Sequence, residues 1–343
     1  MITKIGLDLG YANITMSNVA AEVYREPSVV LVDKNTRRII SVGNSAAAGG
    51  ESTPLGLLVR PFKNGLLYSS DLTREIISHA IKSLGEVDKI RCLIALPSTF
   101  LPKQESEVFK MLGAAGVAEC YSVNPAVAAL VGAGYAPSMS AISVNIGAAS
   151  TEVAVLHKGN VVLSVREAVG GEDFDRAVKD YIFEQGDMTV SLLVARTIKE
   201  RLGAVWRGRP SESINIEGTL ALTGNKVKMT ICTEDVVGVF EKPLQKLLMA
   251  VANAIKKIPT EYVEPIFENG IVLSGGGAEI FGLDVMMQKV LGISVTLADA
   301  PIDCVARGLA RINKFLPSRF IASGKNVTNQ LSKYYESKSR SKK

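Results

Sequence analysis

The chain has 343 residues, 47% hydrophobic and 21% charged, a globular composition long enough for two or more domains. Its net charge of +5 belongs to one end: residues 317–343 hold seven basic side chains against the single acid Glu336, which leaves a near-neutral body and argues against nucleic-acid binding by that body. Four scattered cysteines in apolar contexts read as buried free thiols in a reducing compartment, and two distant histidines, His79 and His157, offer neither a zinc site nor a His-based triad.

Met1 leads straight into a core-like strand and no run of 18 apolar residues occurs, so neither a signal peptide nor a membrane span is expected. Strands and helices then alternate along the chain. KIGLDLG is a strand entering a glycine turn, ANITMSNV returns as a second strand, and SVVLVDKNTRRIISVG reads as a hairpin. Residues 72–84 have amphipathic helical spacing that ends at Gly85, IRCLIALP is a buried strand, and 104–112 is a helix stopped near Gly113. Residues 124–132 form a small-residue helix with Pro125 at its first position, where a missing N–H costs nothing. SAISVNIG opens a second strand set, followed by helices over 174–183 and 190–202. SINIEG, LALTG and VKMTIC read as short strands, and 233–258 as one long helical stretch. GIVLSGGG runs from a strand into a glycine turn, and 302–315 is the last core helix.

KIGLDLGYANITM and ISVNIGAASTEVAVL share one plan: strand, acid or amide, apolar residue, glycine, small turn, strand. Small residues in such a turn let backbone N–H groups approach an anion. Two copies, with a third glycine loop in VLSGGGAEI, imply a pseudo-symmetric pair of α/β domains with a ligand cleft between them.

Taken in order, IGLDLGYAN, REPSVV, RPFKNG, NPAVAALVGAG, IGAASTEVAV, IVLSGGGAEIFGLD and APIDCVARG resemble the MreB family of bacterial actins, over residues 4 to 316. Seven motifs in order favour that family over the actin-like chaperones and sugar kinases. The resemblance implies an actin-like α/β fold, two pseudo-symmetric domains around a nucleotide cleft, with four subdomains. These are expected at 1–30 with 68–140, at 31–67, at 141–184 with 242–316, and at 185–241; the basic tail, 317–343, is expected to be disordered. It also implies ATP and Mg²⁺ in the cleft, protofilaments made with itself and with other MreB paralogues, and a role in cell shape beside the cell-wall elongation machinery. The location implied is the cytoplasm, at the inner membrane face.

The same resemblance supplies site residues. In the first hairpin these are Asp8, which would hold Mg²⁺ through water, and Tyr11, Ala12 and Asn13. The family carries threonine where this chain has Tyr11. The second hairpin, Asn145 to Thr151, matches Asp-Ile-Gly-Gly-Gly-Thr-Thr, so the acid is Asn145, two glycines are Ala148 and Ala149, and Ser150 keeps the hydroxyl. The family's catalytic glutamate, before the proline of its small-residue helix, is Asn124 here. On the nucleoside side Arg196 replaces an acid, Lys199 is retained, and Gly276, Gly277, Ala278 and Glu279 match the adenosine loop. An amide orients water but takes no proton, and losing a general base slows a reaction by ~10²–10⁴. The expectation is an ATP clamp with weak or absent hydrolysis, its catalytic positions being Asn124, Asn145 and Ser150. The alternatives are an ordinary hydrolysing MreB filament and a non-polymerising nucleotide-binding adaptor. The 84–88 loop is short and acidic, so membrane contact is expected through the basic tail, with Tyr334 and Tyr335 beside Lys333.

Overall fold

A computed structural model describes residues 2–48, 56–63, 66–317 and 323–340. Two sheets built on one plan form its frame. In the first, strands Ile2–Leu9, Asn13–Asn18 and Val23–Pro27 make an antiparallel meander, and Lys89–Ala95 and Val117–Val123 add in parallel beside Ile2–Leu9. In the second, Ala141–Ile146, Thr151–His157 and Asn160–Glu167 make the meander, and Ile271–Ser274 and Val295–Leu297 add in parallel. The sequence echo between the two hairpins is therefore an echo of whole sheets. Smaller sheets are built from Val30–Asp33, Ile39–Val42 and Gly56–Val59, and from Met188–Thr189, Ser213–Leu220 and Lys226–Cys232.

Period-2 alternation decides what each hairpin strand faces. Val144, Ile146, Val153 and Val155 point into the core of the second half, with Phe174 and Phe240 stacked edge-on at 5.0 Å. Ala141, Ala154 and Leu156 point the other way, into a core shared with the first half. That shared core is organised by helices Pro125–Gly132 and Cys304–Phe315, which cross at Gly132 and Gly308. A Cβ on Gly132 would lie 1.8 Å from the Cys304 carbonyl oxygen, and one on Gly308 1.8 Å from that of Ala128. The helices meet backbone to backbone, which explains the glycines in NPAVAALVG and in DCVARG.

Several boundaries differ from the sequence expectation. The 72–84 helix is Ser70–Lys82, started earlier because the Ser69 side chain accepts from the Leu72 amide. The 233–258 stretch is two helices, Thr233–Val239 and Glu241–Ile255. Pro243 falls in the first turn of the second, where its missing donor is harmless. LALTG is not a strand of its own. Its residues turn the hairpin between Ser213–Leu220 and Lys226–Cys232, with Gly224 at φ +73°.

The largest correction concerns the tail. Among the described residues it is docked, not disordered. Lys325–Asn326 pair in parallel with Tyr121 and Ser122, and the Val327 amide donates to the Ser122 carbonyl at 2.9 Å. Val327 and Leu331 are fully buried, and helix Leu331–Arg340 follows. Tyr335 packs edge-on against Phe315 at 5.6 Å, and the Tyr334 hydroxyl donates to Gln330. The Val161 amide donates to Asn329 Oδ1 at 3.3 Å, so this segment bridges both large sheets. Apolar anchors at 327 and 331 outweigh the basic composition around them. Residues 318–322 and 341–343 of the tail, and Asn64 and Gly65 of RPFKNG, lie outside the described residues.

Candidate nucleotide cleft

Between the sheets lies a cleft of about 240 Å³. Its walls take Asp8 and Gly10–Asn13 from the first hairpin, Asn145 and Gly147–Ser150 from the second, and Gly275–Gly277 with Glu279 from the third glycine loop. The topology thus assembles all three glycine motifs at one place. Ala278 lies beneath the surface, packed in the core of the second half.

The first hairpin is braced from outside. Ser28 Oγ donates to the Gly10 carbonyl at 2.7 Å, and Arg60 Nη1 donates to that of Tyr11 at 3.0 Å. Ser28 comes from REPSVV and Arg60 from RPFKNG, so both motifs shape this loop. Arg60 also covers the Tyr11 ring, 5.2 Å from its centroid. Burial, followed by the charge and hydrogen bond of Glu172, raises the Tyr11 phenol above its ordinary range. The bulky ring is accommodated as a contact with the opposite half of the molecule.

The second hairpin closes through Gly147 N–H to the Ser150 carbonyl at 2.9 Å. Ala148 and Ala149 both keep negative φ, so the two alanines strain nothing where the family has glycine. The amides of Gly171 and Glu172, opening helix Gly171–Gly186, donate to the carbonyls of Gly147 and Ala148 at 2.9 and 2.7 Å. Gly275, at φ +86°, lets the third loop approach: a Cβ there would meet the Ile146 carbonyl at 2.3 Å and Asn145 Oδ1 at 2.8 Å.

On the nucleoside side Lys199 Nζ pairs with Asp175 at 2.7 Å and donates to the Gly171 carbonyl at 3.1 Å. Arg196 pairs with Glu200 at 2.7 Å, one helical turn on. The positive charge expected from Arg196 is thus offset by an acid that also lines the cleft. Arg25 and Asp303 form an ion pair at the same cleft.

The structure does not bring Asn124 to these residues. It is the N-cap of Pro125–Gly132: Oδ1 accepts from the amides of Ala126 and Val127 at 2.9 and 3.2 Å, and Nδ2 donates to Ser164 Oγ at 2.8 Å. With Thr328 and Asn329 it lines a separate shallow groove, while only its neighbour Pro125 reaches the cleft. An asparagine at this position has a sufficient structural reason.

Burial raises four carboxyls that line the cleft, Asp8, Glu152, Asp175 and Glu279. Burial pushes Asp8 up to about 7 against the pull of Arg25. Burial likewise pushes Glu152 up to about 7, opposed mainly by a hydrogen bond from Ser98. Glu152 is not among the residues the resemblance supplies. The hairpin register could have found it: a turn closed between Gly147 and Ser150 pairs Asn145 with Glu152, on the same face. A buried acid beside an electropositive or metal-holding loop is a functional-site signal. Asp8 is a single carboxyl on a small-residue turn, which suits a divalent cation held through water and not directly, with Arg25 opposing it; Asn145 supplies no second charge.

Fold and cleft together define an α/β protein of the actin-like class. The chain belongs to the MreB/Mbl family, whose MreB/Mbl protein model matches residues 2–318. It is 29% identical over 313 residues to the cell shape-determining protein Mbl of Bacillus cereus, covering 89% of this chain and 93% of that one. It is also 29% identical over 317 residues to the cell shape-determining protein MreB of Escherichia coli, covering 89% and 91%. Among solved structures, MreB5 of Spiroplasma citri bound to ADP superposes with a TM-score of 0.86 at 23% identity, over 92% of this chain and 97% of that one. The MamK double helical filament gives 0.77 at 22% identity, over 92% and 100%. Among the described residues no helix is long and apolar enough to cross a membrane.

Proposed function

We propose that the protein is a cell-shape filament subunit that binds Mg-ATP in the cleft and hydrolyses it slowly. The observation that carries this is Asn145 on the cleft wall, where the family places a carboxylate, within an otherwise unstrained pair of anion-binding hairpins. Asp8 would hold the metal through water, and the metal would neutralise phosphate charge. The backbone of 147–150 would cradle the phosphates, and Glu279 and Lys199 would flank the nucleoside. An amide at 145 keeps the shape of the site and removes one charge from the metal-water network. The two large and two small sheets support a four-subdomain division. Family membership supports self-association into protofilaments. Assembly with other MreB paralogues and work beside the cell-wall elongation machinery belong to the same proposed reading.

The test measures ATP affinity, sedimentation of filaments and phosphate release on the full chain, beside Asn145→Asp. Expected are ATP binding, ATP-dependent pelleting, and phosphate release that rises at least ~10-fold in Asn145→Asp. A wild-type rate equal to that of the Escherichia coli relative, unchanged by the substitution, rejects slow hydrolysis. Absence of pelleting favours the adaptor reading.

Membrane contact would use the exposed basic face of helix Leu331–Arg340, since Tyr334 and Tyr335 are engaged in intramolecular contacts. Lys333→Glu/Lys338→Glu is expected to lower co-sedimentation with anionic vesicles several-fold and leave filament pelleting intact. Unchanged vesicle binding removes the tail from this role.

A further inference from the structure

Glu152 is 5% exposed, yet it lines the cleft. Its two oxygens are treated differently. Ser98 Oγ donates to Oε2 at 2.9 Å, whereas Oε1 lies 3.5 Å from Arg166 Nε and accepts no hydrogen bond. Ser98 follows strand Lys89–Ala95 of the first sheet, while Glu152 stands on Thr151–His157 of the second. One oxygen is thus fixed from across the cleft, and the other keeps acceptor capacity in a place where a buried polar atom is costly without a partner.

Of the other cleft carboxylates, two are held in ion pairs. Asp175 is paired with Lys199, Glu200 with Arg196, and Glu279 belongs to the third glycine loop. Asp8 sits on the first hairpin, in the metal-holding place. Glu152 is two residues beyond Ser150 and opposite Asn145, at the phosphate-cradling turn. Asn124 is committed to capping its helix through Oδ1 and has no proton-accepting group.

We propose that Glu152 orients the water that attacks the terminal phosphate and accepts its proton, so that the slow hydrolysis of this chain runs through Glu152 and not through position 124. This rests on the ATP-binding reading above. In the step, Oε1 takes one proton from water as the water oxygen bonds to the γ-phosphorus. The bond from that phosphorus to the β–γ bridging oxygen breaks, and its electron pair stays with ADP. Glu152 then returns the proton to solvent or to the released phosphate. Arg166 stabilises the carboxylate between turnovers. Because the orienting hydrogen bond crosses the cleft, the base is aligned only when the two halves are together.

The experiment uses the full chain with Glu152→Gln, Ser98→Ala and Asn124→Asp. It measures AMPPNP affinity by calorimetry, phosphate release from ATP in single turnover, and the carboxyl infrared difference band on AMPPNP binding. Glu152→Gln is expected to bind AMPPNP within about threefold of wild type and to release phosphate ~100-fold more slowly. The infrared difference band should carry, beside the contribution of Asp8, a component in wild type that Glu152→Gln lacks. Ser98→Ala, which leaves the charge in place, should slow release ~10-fold, and it serves if Glu152→Gln does not fold. Asn124→Asp, which keeps the helix cap, should not accelerate release. Wild-type release from Glu152→Gln or Ser98→Ala with AMPPNP binding intact overturns the role of Glu152 and leaves the filament reading standing. So does wild-type release no faster than uncatalysed hydrolysis. Failure of the wild type to bind AMPPNP overturns both.

Discussion

Gly308→Ala is expected to destabilise the protein by about 3 kcal/mol or more, with Gly132→Ala close behind. The added methyl carbon at 308 would lie 1.8 Å from the Ala128 carbonyl oxygen and 2.6 Å from its carbon; at 132 it would lie 1.8 Å from the Cys304 oxygen. These neighbours are backbone atoms of a facing helix, so no rotamer relieves the clash. The helices must separate, and the shared core of Leu130, Val305, Leu309 and Ile312 loses its packing. Because the same crossing sets how the two halves meet, ATP affinity should fall with stability. Gly113→Ala provides the contrast: it lies in helix Pro102–Ala114 with nothing within 4 Å of an added Cβ, and should be neutral or stabilising by up to ~1 kcal/mol. Urea unfolding reads both. A Gly308→Ala midpoint indistinguishable from wild type would show that the helices do not meet backbone to backbone.

Asp8→Asn is expected to stabilise the nucleotide-free protein above pH 7 and to abolish much of the pH dependence of Mg²⁺ binding. Burial raises this carboxyl to about 7 from an ordinary 3.8, so between those values the folded state holds a proton that the unfolded state has lost. Stability therefore falls as pH rises through that window, the opposite of a salt-bridged acid. A shift of this size would correspond to ~4 kcal/mol if desolvation were complete. Asp8 faces an open cleft and keeps some water contact, so about 2 kcal/mol is the realistic gain from the amide. Divalent cation binding must expel the proton, so Mg-ATP affinity should rise from pH 6 to pH 8 in wild type. A weaker rise should persist in Asp8→Asn, because Glu152 titrates in the same direction and range. Thermal midpoints and Mg-ATP titrations at pH 6, 7 and 8 check both parts. Identical pH profiles for the two proteins would remove Asp8 from the metal site.

What can be seen from the chain alone follows local physics. The hairpins at Asp8–Asn13 and Asn145–Thr151 announce themselves by period-2 apolar residues on either side of small turns, and the ordered motifs lead to the actin-like fold. The helix at 125–132 is legible because proline marks its start, although the capping role of Asn124 is seen only in the fold. Neither signal depends on anything distant. The break at Phe240 is harder to see, because apolar spacing continues through it, and Pro243 is its one local mark, placed in the first turn of the second helix.

The chain by itself determined the family, the repeated sheet plan and most of the cleft residues, since each of those is written in local pattern and order. Tertiary structure decided the rest. It showed that Ala148 and Ala149 are unstrained, because φ at a turn is set by the frame that holds it. It paired Arg196 with Glu200, turned Asn124 into a helix cap, and docked a tail whose composition reads as solvated. It also placed Glu152 against Ser98 from the other half of the molecule. Charge neutralisation, burial and the second partner of a side chain depend on residues far away in sequence, and only the packed fold brings them together.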